Sequence, residues 1–381
     1  MICRSVIMTV VLLSTVAACS GDDRDDDAAQ WRLDYVTDSR EAQLTAVVAT
    51  SKNEGWAVGM DGDKDVIVLH RQGRAWKPAD VPVELSRAKG ADLSAAVLAA
   101  SGPDNVWLFA TLGAGEIGAQ QQPGAIRWDG QRWQRMPGNF YVRDVAVLAP
   151  DDVWAHGATS VDTGVVHHWD GTGWTGTRLP IDYPDQLSAT GPDDIWASGS
   201  NGAPVRNDVR PAMAHFDGQQ WTDVPVPKPY AQAAVADIIA ISRTDAWAVG
   251  TDLDVTIFAL HWDGSTWSQV PNAVANGGKL GNRSALLLTG DGAGGFVLAA
   301  RSGGRHQYTA GGTVRAVKDP KPVAGRSDKV TDVDRNQLFQ PHGLSLVPGT
   351  REVWAVGAVG VSQIYGDKAF SRGVVASYTR S

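Results

Sequence analysis

Three tyrosines each stand two residues ahead of a polar side chain: Tyr141 before Arg143, Tyr183 before Asp185 and Tyr230 before Gln232. An aromatic plate with a hydrogen-bonding edge suits stacking on a sugar ring, which is apolar on its face and polar at its rim. Packing of each tyrosine on its own loop is the alternative. Met60-Asp61-Gly62-Asp63-Lys64-Asp65 places oxygen ligands at alternate positions, as a Ca²⁺ loop does. The pattern then fails, because Val66 and Gln72 stand where such a loop needs glycine and glutamate, so a solvated hairpin tip is expected. His168, His215 and His261 each precede an aromatic-Asp-Gly run, and His70 holds the matching place in an earlier segment. They recur at intervals too long to gather on one metal, and packing is their expected role. His156, His167, His306 and His342 show no ligand spacing, and the His-Glu-x-x-His zinc pattern is absent. No metal or other cofactor is expected.

Two sets of aspartates recur. Asp129, Asp170, Asp217 and Asp263 precede glycine, while Asp152, Asp194 and Asp245 close a Pro-Asp-Asp or Arg-Thr-Asp turn. Both sets are expected to accept backbone N–H bonds within their turns. Gly-x-Ser-x-Gly elbows, phosphate loops and dinucleotide fingerprints are missing. The only cysteines are Cys3 and Cys19, so the rest of the chain holds no disulfide and no thiol nucleophile. A net charge of −8 without a basic stripe argues against nucleic-acid binding, which rests on neutralising phosphates.

The N-terminus reads as an address. Arg4 is a short positive region, Ser5 to Val16 is apolar apart from small hydroxyls, and the run is too short to span a bilayer. It ends in Val16-Ala17-Ala18-Cys19, which resembles the bacterial lipobox. That resemblance implies a lipidated Cys19, with residues 1–19 as signal peptide and the protein held on the extracytoplasmic face of the cell membrane. Residues 20–29 carry five aspartates against one arginine and no large apolar side chain, the composition of a disordered tether.

The elements that position these side chains come from a repeat. Asp245-Ala-Trp247-Ala-Val-Gly250 is followed by His261-Trp262-Asp-Gly-Ser-Thr-Trp267 and Val270-Pro271. Similar blocks surround Trp56, Trp107, Trp154 and Trp196. Two copies are degenerate, one with Phe296 read at the first Trp place and one with Trp354 that stops after Tyr378. The seven first aromatics lie roughly 50 residues apart, a period typical of propeller blades. Each unit predicts four strands: an apolar run, Val-Trp-Ala-Val-Gly, Leu-His-Trp, and Trp-x-x-Val-Pro after an Asp-Gly hairpin. The fold class is therefore all-β, a seven-bladed β-propeller over residues 30–381 with four antiparallel strands per blade. Gln30-Trp31-Arg-Leu-Asp-Tyr-Val36 matches the fourth-strand pattern that the last unit lacks. An N-terminal strand is thus expected to complete the last blade and remove an open edge. Trp, at 15 residues, is expected to fill the wedges between blades.

The repeats resemble kelch/galactose-oxidase-like and Asp-box-like bacterial propellers, and more narrowly exported propellers with DVWAVG…HWDGxxW units. A galactose-oxidase-like radical site needs a Cys–Tyr crosslink, which the body cannot form. A sialidase-like site needs converging arginines, and nothing in the sequence gathers Arg87, Arg143, Arg206, Arg210 and Arg283.

Strand order predicts one face of short, uniform turns and one of long, varied loops: Met60–Val66, Thr111–Ala125, Ser200–Ala212, Ala273–Arg283 and Lys318–Gly343. A ligand is expected on the varied face at the mouth of the central channel. The expected function is a monomeric, lipid-anchored binding or scaffold protein for a glycan, wall polymer or envelope protein. A cell-surface carbohydrate-active enzyme, hydrolase or lyase, is the alternative; it would need carboxylates, or a carboxylate with Tyr or Arg, converging at that mouth. An assembly factor docking through its rim would need an exposed apolar patch.

Overall fold

The computed structural model describes residues 29–62, 65–86, 90–113, 122–157, 164–202, 208–227, 232–252, 254, 256–274, 286–301 and 303–379. Cys19, Asp63, Arg87, Arg206, Tyr230 and Arg283, and with them the signal peptide and most of the tether, lie outside the described residues.

Seven four-stranded antiparallel sheets stand side by side. Blade 1 comprises Ala42–Ser51, Glu54–Asp61, Asp65–Gln72 and Ala75–Pro78. Blade 2 comprises Asp92–Gly102, Asn105–Leu112, Gln122–Trp128 and Trp133–Met136. Blade 3 comprises Asp144–Ala149, Asp152–His156, Val165–Trp169 and Trp174–Arg178. Blade 4 comprises Tyr183–Gly191, Asp194–Asn201, Arg210–Phe216 and Trp221–Val224. Blade 5 comprises Ala233–Ser242, Asp245–Asp252, Ile257–Trp262 and Trp267–Gln269. Blade 6 comprises Leu286–Gly290, Phe296–Ala300, Arg305–Tyr308 and Val314–Ala316. Blade 7 takes Leu338–Leu346, Glu352–Val361 and Phe370–Thr379, and its outer strand is Arg32–Val36.

The N-terminal strand does complete the last blade, pairing Arg32 with Ser377 and Val36 with Val374. The first strand of every blade touches the first strand of the next, and that of blade 7 touches that of blade 1, so the ring closes. The inner strand of blade 7 begins at Leu338, five residues before the expected loop end at Gly343. Its start reads as a loop because Pro341 and Gly343 interrupt the apolar pattern; both sit at a bulge.

The tryptophans occupy the seams. The second-strand Trp of one blade meets the aromatic pair of the next blade's outer half. Trp196 lies 5.1 Å from Trp262 and 5.3 Å from Trp267, ring centre to ring centre, nearly edge-on to both. Trp56 meets Trp128 and Trp133 in the same way. At the closing seam Trp354 meets Trp76, and the Arg71 guanidinium covers its ring at 4.7 Å where other blades carry an aromatic.

One register expectation is corrected. Phe296 pairs with Tyr308, whereas Trp154 pairs with His168 and Val153 with Trp169. The seam position of blade 6 is therefore Val297, and Phe296 points to the opposite face against Trp247 of blade 5. A shift of one residue on a strand exchanges faces. The small Val297 faces Trp31 and Tyr378 of blade 7 in one buried cluster.

The uniform turns also differ in part from expectation. Asp129, Asp170, Asp217 and Asp263 do accept two backbone N–H bonds each, at 2.8–2.9 Å. The Thr172 hydroxyl with these N–H groups holds the Asp170 carboxylate down at about 2, and the N–H groups with the Ser265 hydroxyl do the same for Asp263. Asp152, Asp194 and Asp245, expected to tie their own turns, instead face the third-strand histidine at 2.9, 2.7 and 2.9 Å from His168, His215 and His261. Glu54 does the same for His70. Each of these histidines packs on its blade's Trp, most closely His70 on Trp56 at 3.9 Å and 8°. Blade 2 replaces the pair by Asn105 and Arg127, and blade 6 by Asp291 and Gln307. The histidines thus brace strands two and three, in the packing role expected of them.

Candidate functional site at the channel mouth

The residue three places after each second-strand Trp is glycine in blades 1, 3, 4, 5 and 7: Gly59, Gly157, Gly199, Gly250 and Gly357. A side chain at any of them would collide with a carbonyl of the adjacent inner strand or of the segment leading into it, that of Gln43, Tyr141, Tyr183, Ala234 or Gln340. The missing Cβ is what allows the inner strand to close in and bulge there. Register shifts locate the extra residue at Thr45, Asp185, Ala236 and His342. In blade 3 the equivalent residue is Arg143, whose N–H bonds to His156 O at 2.8 Å just ahead of the Asp144–His156 pair. Blade 2 has Ala110 at the glycine place, and its inner strand loses register over a longer stretch, from Asp92 to Val97. The repeated glycine was the sequence signal for these bulges; only the pairing shows what it serves.

A bulge re-aims the side chain it carries. Here it joins two predicted site residues across a seam: Arg143 Nη1 lies 3.2 Å from Asp185 Oδ1, with Arg143 well exposed and Asp185 half-buried. On the far side of the ring, His342 Nδ1 lies 3.1 Å from Leu44 O.

The residue after the bulge ties blades together. Asp144 Oδ2 accepts the Leu187 N–H of blade 4 at 2.6 Å. Asp237 Oδ2 accepts the Leu288 N–H of blade 6 at 2.8 Å, and its Oδ1 accepts the N–H of Ile238. Three places after their own bulges, Ser188 Oγ and Ser345 Oγ accept from Ala240 N and Ala49 N of the following blades. Burial pushes Asp144 up to about 7 against the lowering pull of the Leu187 and Val145 N–H groups. Burial also raises Asp237 well above the usual carboxylate range, and the charges of Asp144 and Asp185 add to the rise. Asp185 is raised by burial and pulled back by Arg143. Asp237 thus feels the charges of both Asp144 and Asp185, and Arg143 lies against Asp185. No group of three or more His, Cys, Asp or Glu among the described residues is placed to hold a metal ion.

Tyr141 precedes the inner strand of blade 3, while Tyr183 is the first residue of that of blade 4 and pairs with Ser200. Tyr141 is 59% exposed and Tyr183 42% exposed, so neither is consumed by packing on its own loop. Gln232 sits at φ +58° directly before Ala233, in the left-handed region that turns the chain into blade 5. At the Met60 hairpin, Asp61 pairs with Asp65 and is bonded by Ser39, while the tip residues Asp63 and Lys64 lie outside the described residues.

Solved structures place the fold. The chain is similar to YCF48 from Cyanidioschyzon merolae, at 16% identity and a TM-score of 0.53, covering 92% of this chain and 99% of that one. It is similar to U3-55K at 11% identity and a TM-score of 0.54, covering 91% and 98%. It is also similar to the WD40 β-propeller domain of Doa1, at 9% identity and a TM-score of 0.51, covering 93% and 98%. No protein-family description and no curated protein matches the chain. At such identities the likeness is one of fold, and function has to be argued from the site.

Proposed function

We propose that this protein is an exported, lipid-anchored propeller that binds a glycan or wall polymer at the varied-loop mouth of its channel. The reading is supported most by the pair of exposed tyrosines flanking the Arg143–Asp185 contact across the seam of blades 3 and 4. Stacking on Tyr141 and Tyr183 would supply apolar contact, and the charge pair and Gln232 would supply hydrogen bonds to hydroxyls. Alanine at Tyr141 or Tyr183 should weaken retention of the detergent-solubilised protein on its glycan at least 10-fold, as loss of a central aromatic anchor does. Screening wild type and both variants on a glycan array measures this; unchanged binding by the double variant removes the sugar-platform reading.

A second reading, a carbohydrate-active hydrolase or lyase, draws on the charge coupling of Asp237 to Asp144 and Asp185 and on an Asp144 carboxyl raised to about 7. Against it, Asp144 and Asp237 already hold backbone N–H groups of the next blade, which leaves them poorly free to move protons. Turnover of any bound glycan that vanishes in Asp185→Asn but survives Tyr183→Ala would favour the enzyme.

The anchor is tested separately. Cys19→Ser should shift the protein from the membrane to the soluble fraction and abolish labelling by a radioactive fatty-acid precursor. Retention of both excludes lipidation at Cys19.

A further inference from the structure

The connection from blade 6 to blade 7, Val317 to Gln337, is long, and long ordered loops in a compact domain are commonly functional. This one is pinned along its length. The Gln337 amide bonds both the N–H and the carbonyl of Val323, at 3.1 and 2.9 Å. Asp334 Oδ2 accepts the N–H and the hydroxyl of Thr331 at 2.7 and 2.9 Å. Gly325 lies so close to the Phe370 ring and to Asp334 that no Cβ fits. Arg372 Nη1 holds Ala324 O at 3.2 Å. Next in the chain, Arg326 donates from Nε to Ala369 O at 2.7 Å. That bond fixes the plane of its guanidinium. Both Nη groups are left without a protein acceptor among the described residues.

Arg326 lines a cleft of about 410 Å³ over the varied-loop end of blade 7. Arg40 and Glu41, from the segment that leads out of the ring-closing strand, line it together with Leu338, Gln340 and Phe370. Leu338 is 60% exposed, an unusual setting for a leucine on an inner strand. Arg40 has no ion-pair partner among the described residues, so two guanidiniums stand against the single carboxylate of Glu41.

We propose that this cleft binds a sugar bearing a carboxylate or phosphate group. Arg326 and Arg40 present planar forks matched to an oxyanion. Leu338 offers an apolar surface to the C–H face of the ring, and the Gln340 amide offers bonds to hydroxyls. The volume lies within the usual range for a small-ligand site. The cleft is on blade 7 rather than at blades 3 and 4, so it stands or falls independently of the tyrosine platform.

Calorimetric titration of the detergent-solubilised full chain with glucuronate, glucose 6-phosphate and glucose at low ionic strength tests the proposal. Binding of either anionic sugar, with none of glucose, is expected, and which anion binds identifies the source. Arg40→Gln and Arg326→Gln should each lower the affinity at least 10-fold, and Glu41→Gln should raise it about 3-fold, a direction that a merely structural role would not give. Thermal melting checks folding. Should Arg326→Gln unfold, Arg40→Gln carries the test, because its side chain makes no hydrogen bond among the described residues. Failure of both anionic sugars to bind, equal binding of glucose, or unchanged affinity in Arg40→Gln overturns the proposal.

Discussion

Alanine in place of Trp31 is expected to lower the unfolding free energy by about 3–5 kcal/mol, near the top of the range for single core truncations. Trp31 is 1% exposed and lies 6.1 Å from Phe339 and 5.6 Å from Tyr378, ring centre to ring centre. It also packs on Val297 and Val317 of blade 6, so it seals a seam as well as completing blade 7. Val297 is the smallest side chain at any second-strand seam position, so it does not make up for a lost indole. Removing the whole strand, by starting the chain at Ser39, should be worse. It would expose the outer edge of Phe370–Thr379, an unpaired template for aggregation. Urea unfolding followed by Trp fluorescence measures the first effect, and light scattering at 37 °C the second. A Trp31→Ala midpoint within error of wild type would mean that the N-terminal strand does not hold the ring.

The second large effect concerns pH. Asp144 has a folded-state value of about 7 against an ordinary carboxylate value of 3.8. The folded protein therefore keeps this proton where the unfolded chain has lost it. The contribution of the group to stability is complete below the unfolded value and is lost as pH rises through about 7. Asparagine retains an oxygen to accept the Leu187 N–H and cannot ionise. Asp144→Asn should therefore gain stability over wild type by about 2–4 kcal/mol between pH 4 and pH 8, with most of the gain in place by pH 7. Asp237→Asn should show the same sign, because its carboxyl is raised by burial and by the charges of Asp144 and Asp185. Chemical denaturation of wild type and each variant across that range supplies the difference, from which other titrating groups cancel. A difference that does not change with pH would show that Asp144 ionises in the ring as it does in water.

The sequence alone was enough for the number of blades, the strands within them, the closing strand and the placing of tryptophan at the seams. All of these follow from local patterns, namely side-chain alternation along a strand, the Asp-Gly hairpin and a repeat whose spacing survives even in weak copies. Tyr141, Tyr183, Arg143 and Asp185 were legible as candidates because each tyrosine stands two residues ahead of its polar partner where the chain enters successive inner strands. What remained hidden depends on residues distant in the chain. The Asp144–Leu187 and Asp237–Leu288 ties span 43 and 51 positions, and they form only because ring closure brings each inner strand beside the next. The exchange of Phe296 for Val297 was invisible because a lone aromatic beside a small apolar residue carries no mark of which face it takes. The Arg326 cleft was invisible because its walls come from both ends of the chain, Arg40 near the first residues and Phe370 near the last. Periodicity is a property of neighbours and survives in a string of letters, whereas a site is a property of distances that exist only once the disc has closed.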